Sequence, residues 1–193
     1  ESVKDFSNIH TEIYDTALLC KKKKIALPDH FNYLKEYYIE DSSPFALFSS
    51  YFRFGDSFDK IITKIREGSF NVVAVSSLFS AYHPDLEKLF KRIKEETTAL
   101  IIAGGWAVDC EKESLFKESY ADYFLPGDGE AVFPLFAEAM AGKRAIEDVP
   151  GLIFRKDGAI ISNRERMLQN TLFIESFPKR HGDYFFKSRK ISK

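Results

Sequence analysis

The sequence predicts an α/β fold that is doubly wound around a mainly parallel sheet and followed by a C-terminal β-hairpin. Two observations predict it. From residue 56 onward, three short apolar runs of strand length alternate with amphipathic segments of helical period, and right-handed crossovers between such strands place helices on both sides of one sheet. Downstream, Asp157 and Gly158 separate two β-rich arms, which is the preferred turn chemistry between antiparallel strands.

The first helix and strand of this pattern lie between residues 56 and 77. Asp56 or Ser57 can cap a helix that Gly68 is expected to close at its C′ position. The apolar residues of this helix recur at i, i+3, i+4 and i+7: Phe58, Ile61, Ile62 and Ile65. The run at 70–77 shows no polar alternation, so we expect a strand that is buried on both faces.

The remaining elements follow at regular intervals. Pro84 suits the first turn of a second helix, and the run at 99–105 predicts a second buried strand. A brief helix at 111–120 and a third strand at 121–125 come next. Gly142 is expected to end the last helix of the series.

The composition bounds the function. Among the 193 residues, 28 Lys and Arg nearly balance 29 Asp and Glu, so the net charge of -1 provides no field that would attract nucleic acid or an anionic membrane. The two cysteines, Cys20 and Cys110, lie far apart in the sequence, which suits a reducing compartment and predicts a cytoplasmic protein. No apolar stretch reaches the roughly 18 residues that span a bilayer. The chain begins at Glu1 without a Met, and we expect it to be part of a longer protein.

Small residues follow each of the three predicted parallel strands. The first strand leads into Ser77, the second into Gly104 and Gly105, and the third into the turn at 126–130. Ligands of open parallel sheets bind beyond the carboxyl ends of the strands, where strand order reverses, so we expect a shelf of accessible backbone there. Two interpretations of the glycine pair stay open: it gives a turn its positive φ, or it lets a ligand approach the backbone. Trp106 beside the pair either covers a ligand or packs in the core.

Spacing argues against several other kinds of site. Val132 stands where a G-x-G-x-x-G motif that starts at Gly127 needs its third glycine, and no Walker A loop occurs. No histidine pair or cysteine–histidine cluster has the spacing of zinc ligands, so no metal site is predicted, and His83 is interpreted as a structural residue. No G-x-S-x-G elbow and no pair of carboxylates indicates acid–base chemistry, so no catalytic residue is predicted.

Five segments occur in order along the chain: "FRFGDSFDKIITKI", "NVVAVSSLFSAYHPDLEKLFKRIKE", "LIIAGGWAVD", "ADYFLPGDGEAVFPLFAEAM" and "VPGLIFRKDGAII". Together they resemble the N-terminal cobalamin-binding domain of B12-dependent radical SAM proteins. The resemblance runs from about residue 51 to the end. It implies a Rossmann-like, flavodoxin-like fold, and it implies that a radical SAM barrel with a C-x-x-x-C-x-x-C cluster motif follows outside this sequence.

The resemblance also implies a cobalamin site. Its candidate residues are Ser76, Ser77, Leu78, Ser80, Gly104, Gly105, Trp106, Gly127, Gly129 and Glu130. The segment at 76–80 would line the nucleotide tail of cobalamin, the tail would pass over the glycine pair, and 127–130 would be the G-x-G-E turn at the edge of the crevice. No D-x-H-x-x-G motif occurs in the chain, so cobalt would have no protein histidine as a ligand.

The organisation implied by the resemblance has four parts. These are an N-terminal lead segment (1–45), the Rossmann-like cobalamin-binding domain (46–145), a β-hairpin extension (146–172) and a linker toward the radical SAM barrel (173–193). Cobalamin and the barrel of the same parent chain are the expected partners, without nucleic acid or membrane. S-adenosylmethionine and a [4Fe-4S] cluster would bind only to the radical SAM barrel, which lies outside this sequence.

Three functions stay open. The first is a cobalamin-binding module of a B12-dependent radical SAM enzyme, such as a methyltransferase, in which this chain itself catalyses nothing. The second is a degenerate interaction or regulatory domain that holds no corrinoid. The third is a flavodoxin-like nucleotide-binding module, against which the weak phosphate motifs count.

Overall fold

A computed structural model describes most of the chain. The described residues are 9–16, 22–29, 32–33, 51–76, 82–105, 112–127, 129–164, 184–186 and 189–191. They belong to two compact units. One unit comprises residues 1–12 and 62–179, and the other comprises residues 13–61 and 180–193.

The described strands are β1 (Lys22–Ile25), β2 (Tyr51–Phe54), β3 (Val72–Ser76), β4 (Leu100–Gly104), β5 (Tyr123–Leu125), β6 (Ile153–Lys156), β7 (Ala159–Ser162), β8 (Tyr184–Phe186) and β9 (Arg189–Ile191). In the first unit, β3 to β7 form a five-stranded sheet in chain order. The pairs β3–β4 and β4–β5 are parallel, whereas β5–β6 and β6–β7 are antiparallel. Asp157 and Gly158, both with positive φ (51° and 80°), connect β6 and β7.

The described α-helices are α1 (Phe58–Gly68), α2 (His83–Glu96), α3 (Lys112–Glu118) and α4 (Gly129–Met140). All four lie where the helical period and its breaks predict them, and Pro84 falls in the first turn of α2. A short 3-10 helix follows at Ile146–Asp148. Within the described ranges, no helix combines the length and the apolar character that crossing a membrane requires.

The two glycines that were expected to end helices behave differently. Gly142 has φ 72° and its N–H donates to the Ala139 carbonyl, while Lys143 N–H donates to the Glu138 carbonyl. This is the double hydrogen bond of a Schellman cap, so the predicted end of the helix is confirmed. Gly68, in contrast, is the last residue of α1, and Ser69 takes the positive φ (49°), so its predicted C′ role is wrong.

A Cβ built on Gly68 would meet the Phe70 ring, the outer end of a side chain two residues further along the chain. The aromatic side chain therefore occupies the space next to the helix end. Because a ring can turn away from an added methyl group, this contact alone does not require glycine at position 68.

The five-stranded sheet is covered on both faces by helices. In β5, Phe124 packs edge-on against Phe116 of α3 (ring centroids 4.9 Å apart), whereas the neighbouring Tyr123 packs against Phe136 of α4 (5.2 Å). Successive strand residues point to opposite faces, so α3 and α4 lie on opposite sides of the sheet. We call the side covered by α4 the α4 face; its buried cluster includes Ile102, Leu125, Val132, Phe136 and Phe154.

The expectation that the first parallel strand is buried on both faces is wrong. In β3, Ala74 and Ser76 are exposed, whereas β4 is buried at Ile101, Ile102 and Ala103. The difference arises because β3 lies at the edge of the described sheet, with β4 as its one described neighbour. The strands also follow chain order without reversing among the described residues, so the doubly wound, flavodoxin-like arrangement stays a prediction.

The second unit contains two small antiparallel sheets, β1 with β2 and β8 with β9. After β2, the chain is held to residues 14–16. Asp56 N–H donates to the Thr16 carbonyl (3.0 Å), and the Tyr14 hydroxyl donates to Asp56 Oδ2 (2.7 Å). The hydrogen bond to this carboxylate, with burial and the negative charge beside it, raises the pKa of Tyr14 to about 12.

Candidate functional site

A cleft of about 480 Å³ opens on the α4 face of the sheet. Its described lining residues are Ala74, Val75, Ser76, Ile102, Gly104, Gly105, Leu125, Gly127, Gly129, Glu130 and Phe133. They come from the carboxyl ends of β3, β4 and β5 and from the first two turns of α4. The cleft therefore lies at the carboxyl ends of the parallel strands, which is where α/β proteins bind ligands.

The register of the strands explains why this part of the face is open. Ala74 pairs with Ile102 and Ser76 pairs with Gly104, so the four residues share one face. Ile102 lies in the buried cluster beneath α4, whereas Ala74 and Ser76 are exposed. Helix α4 thus covers the sheet over β5 and β6, and small side chains floor the cleft over β3 and the end of β4.

Six of the ten candidate site residues come together in this cleft. They are Ser76, Gly104, Gly105, Gly127, Gly129 and Glu130. The other four, Ser77, Leu78, Ser80 and Trp106, lie outside the described residues. The exits of β3, β4 and β5, which were expected on one rim, therefore meet at one cleft. Among the described strands, no reversal of strand order occurs there.

Five lining residues were not singled out from the sequence: Ala74, Val75, Ile102, Leu125 and Phe133. Ala74 carried a detectable signal, since it is the one small residue within a β-branched run and lies two positions before Ser76 on the same strand face. Phe133 follows Glu130 by three residues, which places both on one side of α4. A helical projection of the last helix could have identified it.

Gly104 has a structural reason to be glycine. A Cβ built on it would lie 3.0 Å from the backbone oxygen of Leu125, its partner on β5. This atom belongs to a strand and cannot rotate away. For Gly104, close strand packing therefore adds a third interpretation to the turn and the ligand shelf, whereas Gly105, with φ 94°, adopts the backbone conformation of a turn.

Gly127 and Gly129 differ in what constrains them. Gly127 has φ 83°, which a residue with a side chain rarely adopts, although a Cβ there would meet nothing within 4 Å. Gly129 opens α4, its φ is not positive, and a Cβ there would also meet nothing within 4 Å. The fold therefore requires no glycine at 129, and its missing side chain leaves the cleft wider.

Glu130 is the one ionisable group among the described residues that line the cleft. It is exposed and lies in the first turn of α4, where a carboxylate stabilises the positive end of the helix dipole. No Lys, Arg or His belongs to the described lining. The described site can therefore offer backbone groups, the Ser76 hydroxyl, one carboxylate and apolar surface.

His83 lies outside this lining and makes a structural contact. Its Nε2 is 3.4 Å from Glu87 Oε1, and Glu87 in turn accepts hydrogen bonds from the Ser119 hydroxyl (2.6 Å) and the Tyr120 N–H (2.9 Å). These bonds join α2 to the loop between α3 and β5. Within the described ranges, no group of three or more His, Cys, Asp or Glu side chains is arranged to hold a metal ion.

Two charged residues fix the strands that end at the cleft. Asp122 Oδ2 accepts the Ile101 N–H (2.7 Å), and both carboxylate oxygens are within 3.0 Å of Lys94 Nζ. On β6, the Arg155 guanidinium donates to the carbonyls of Phe116, Lys117, Ser119 and Ala121, which lie at the end of α3 and just before β5. The Asp122 contacts therefore join β4 to the start of β5, and the Arg155 contacts join β6 to the segment between α3 and β5.

The comparisons with known proteins support the fold. No protein-family model matches the chain, and no curated protein does. Similar solved structures include two of the radical S-adenosylmethionine methyltransferase TsrM from Kitasatospora setae. The one with cobalamin and a [4Fe-4S] cluster bound is 19% identical to this chain, with a TM-score of 0.51. The one with tryptophan and a SAM analogue bound is 18% identical, also with a TM-score of 0.51. Another is the apo, selenomethionine-labelled cobalamin-dependent S-adenosylmethionine radical enzyme OxsB (13% identity, TM-score 0.50).

These likenesses cover 56–58% of this chain. They cover 22% of the TsrM chain and 16% of the OxsB chain, so the similarity concerns one part of much longer enzymes. At such low identity, the comparison shows a shared α/β fold. Together with the five-stranded sheet, it makes the first unit a Rossmann-like domain.

Proposed function

We propose that this chain is the cobalamin-binding module of a B12-dependent radical SAM enzyme. The observation that supports it best is the cleft at the carboxyl ends of three parallel strands, with Ala74, Ser76 and Gly104 as its floor. The low-identity likeness to TsrM and OxsB adds support, because both are described as cobalamin-binding or cobalamin-dependent enzymes.

The size of the cleft fits part of a corrinoid. Its volume of about 480 Å³ falls within the roughly 300–1,000 Å³ of typical small-molecule sites. The nucleotide tail would enter the cleft, and the wider corrin ring would lie at its mouth. Small residues on the floor let a ligand approach the sheet closely, and an added Cβ at Gly129 would narrow the space without contacting protein.

The described residues suggest how the tail would be held. Backbone groups at Gly104 and Gly105 would contact it along the end of β4, the Ser76 hydroxyl would offer a hydrogen bond, and Glu130 would accept one at the edge formed with Gly127 and Gly129. Ser77, Leu78, Ser80 and Trp106 remain candidate contacts. When bound, cobalamin supplies a cobalt centre that can accept and pass on a methyl group, while no histidine of the described lining would coordinate it.

The activity would belong to the parent enzyme. We propose that a radical SAM barrel, with S-adenosylmethionine and a [4Fe-4S] cluster, follows this module in the parent chain, that the enzyme is a methyltransferase, and that it works in the cytoplasm. The module would have four parts: the lead segment (1–45), the cobalamin domain (46–145), the hairpin extension (146–172) and the linker (173–193).

The proposal is tested by mixing the protein with hydroxocobalamin, desalting, and measuring the corrin absorption that stays with the protein. We expect near-stoichiometric retention by the unmodified protein. Gly129→Leu should lose it, because the leucine side chain would enter the cleft from a position where the fold has room for it. Met140→Leu serves as the matched control, since Met140 is an exposed residue at the far end of the same helix.

Two outcomes would contradict the proposal. If the unmodified protein loses all corrin absorption on desalting, it holds no cobalamin, and the degenerate interaction domain becomes the better account. If Gly129→Leu and Met140→Leu both retain cobalamin as well as the unmodified protein, the corrinoid binds somewhere other than this cleft.

A further inference from the structure

We infer that one face of the β1–β2 sheet binds a single-stranded nucleic acid, with bases stacked on its phenylalanine rings and phosphates paired with its lysines. The face consists of Lys22, Lys24, Phe52 and Phe54, and we call it the Lys–Phe face. It belongs to the unit of residues 13–61 and 180–193, whereas the cleft residues belong to the other unit. The inference therefore goes beyond the proposed function and does not depend on it.

The strand register places these four residues on one face of the sheet. Lys22 pairs with Phe54, and Lys24 pairs with Phe52. Residues two positions apart in a strand point to the same side. All four are exposed, Phe52 to 42% and Phe54 to 64%, and Lys22 Nζ lies 5.0 Å from the centre of the Phe52 ring. Each exposed ring therefore has a lysine beside it on the neighbouring strand.

The opposite face of the same sheet is packed. Arg53 lies on that face, and its guanidinium carbon is 3.8 Å from the centre of the Phe58 ring at the start of α1. Arg53 and Phe58 are both partly buried. The phenylalanines of the Lys–Phe face thus stand on the side of the sheet that is open to solvent, and clustered exposed aromatic residues indicate an interaction surface.

Charge is distributed unevenly between the two units. The unit of residues 13–61 and 180–193 contains 12 Lys and Arg and 8 Asp and Glu, a net charge of +4. The other unit contains 16 and 21, a net charge of -5. The whole-chain charge of -1, which argued against a nucleic-acid partner, is therefore the sum of a basic and an acidic unit. Over the roughly 10 Å at which charges act in physiological salt, the Lys–Phe face can attract a polyanion.

The second small sheet of this unit repeats the combination of residue types. Its register pairs Phe185 of β8 with Lys190 of β9, and Phe186 with Arg189. The pairing of an aromatic strand with a basic strand is therefore a property of the unit rather than of one short segment. Proteins that bind single strands combine these two residue types, because each nucleotide offers one base and one phosphate.

The spacing of the rings favours a single strand over a duplex. Phe52 and Phe54 are two positions apart in β2, so they lie roughly 7 Å apart along the strand. Neighbouring bases in a duplex are stacked about 3.4 Å apart and have no free face between them. Bases of a single strand can separate and stack on one ring each, while the adjoining phosphates approach Lys22 and Lys24.

The test measures the binding of fluorescein-labelled strands of 12 nucleotides to the full chain by fluorescence anisotropy. One probe is oligodeoxyadenylate, the second is an abasic strand with the same number of phosphates, and the third is oligodeoxyadenylate paired with oligothymidylate. We expect oligodeoxyadenylate alone to bind at least about fivefold more tightly than either of the others, because one stacked base contributes at least that factor.

Two variants separate stacking from charge. Phe54→Leu should weaken oligodeoxyadenylate at least about fivefold and leave the abasic strand unchanged, because it removes one stacking ring. Lys24→Gln should weaken both, and the slope of log K against log [KCl] should become shallower by about 0.7, the value for one phosphate contact. Matched controls come from the other unit: Tyr120→Leu removes an exposed ring and Lys117→Gln an exposed lysine, and neither should change an affinity.

Several results would overturn the inference. These are no binding of oligodeoxyadenylate, equal affinities for it and the abasic strand or the duplex, and equal losses in Phe54→Leu and Tyr120→Leu. Binding to phosphatidylserine vesicles without binding to oligodeoxyadenylate would make the partner a membrane surface and overturn it as well. None of these results affects the proposed function, because cobalamin retention is measured separately and concerns residues of the other unit.

Discussion

Replacing Gly104 with alanine should destabilise the protein, whereas the same change at Gly129 should not. At Gly104, the new Cβ would lie 3.0 Å from the Leu125 backbone oxygen, at a position where β4 and β5 are paired in register. Overpacking of this kind costs about 1–3 kcal/mol. A loss of about 2 kcal/mol would lower the Tm by roughly 4–8 °C for a chain of this size.

Gly129→Ala places its Cβ in open space at the first position of α4, without positive φ. Alanine favours helix over glycine by up to about 1 kcal/mol, so the free energy of unfolding should stay the same or rise slightly. Thermal unfolding followed by circular dichroism, on both variants in parallel, measures the contrast.

The result also decides which glycine can test ligand binding. If Gly104→Ala melts at the same temperature as the unmodified protein, the close approach of Leu125 does not explain that glycine, and the reasoning from strand packing is refuted. If both variants lose the same amount of stability, Gly129 is constrained by the fold after all. In the expected case, a loss of cobalamin in Gly129→Leu reports on the cleft, whereas a loss in a Gly104 variant reports partly on the sheet.

Three further predictions concern the scaffold. Arg155→Met removes a guanidinium that donates to four backbone carbonyls, and because this residue is exposed we expect a loss of about 1–2 kcal/mol in urea unfolding. An unchanged midpoint would contradict this role. Asp122→Ala leaves the Ile101 N–H without its acceptor and should lower the free energy of unfolding by about 1–3 kcal/mol. Asp122→Asn keeps an acceptor oxygen and should lower it less. Equal losses in urea unfolding would show that the hydrogen-bond acceptor does not account for the effect. Because the pKa of Tyr14 is raised from 10.0 to about 12 by its bond to Asp56, the stability from this pair is present below pH 10 and is lost as the pH rises through 12. Ultraviolet titration should show tyrosine ionisation near pH 12 that decreases by one tyrosine in Tyr14→Phe; an unchanged titration curve in that variant would refute the assignment.

Local patterns in the sequence predicted the helices and the positions of the strands β3 to β7 along the chain. The 3.6-residue period of α1 and α2, Pro84 at a helix start and Gly142 at a helix end are each determined by residues within a few positions, so they can be read without tertiary structure. The exits of three parallel strands were expected at one rim because parallel strands end at the same edge, and six candidate residues do line one cleft.

What could not be predicted depends on partners that are distant in the chain. Ala74 is exposed because of the position of β3 in the sheet and the reach of α4, and neither is encoded in the run at 70–77 itself. Likewise, the positive φ after α1 falls at Ser69 rather than at Gly68, because the helix extends one residue further than the glycine predicted. Phe133 was not singled out from the sequence, and only the open floor over β3 makes it part of the cleft lining.

The central claim is that the α4-face cleft holds the nucleotide tail of a corrinoid. A crystal structure of the protein grown with hydroxocobalamin tests it most directly. The account predicts density for the tail between the floor at Ala74 and Gly104 and the ring of Phe133, with the corrin ring at the mouth. Density for the corrinoid elsewhere on the protein, or a cleft that stays empty while the crystals carry the cofactor, would contradict it.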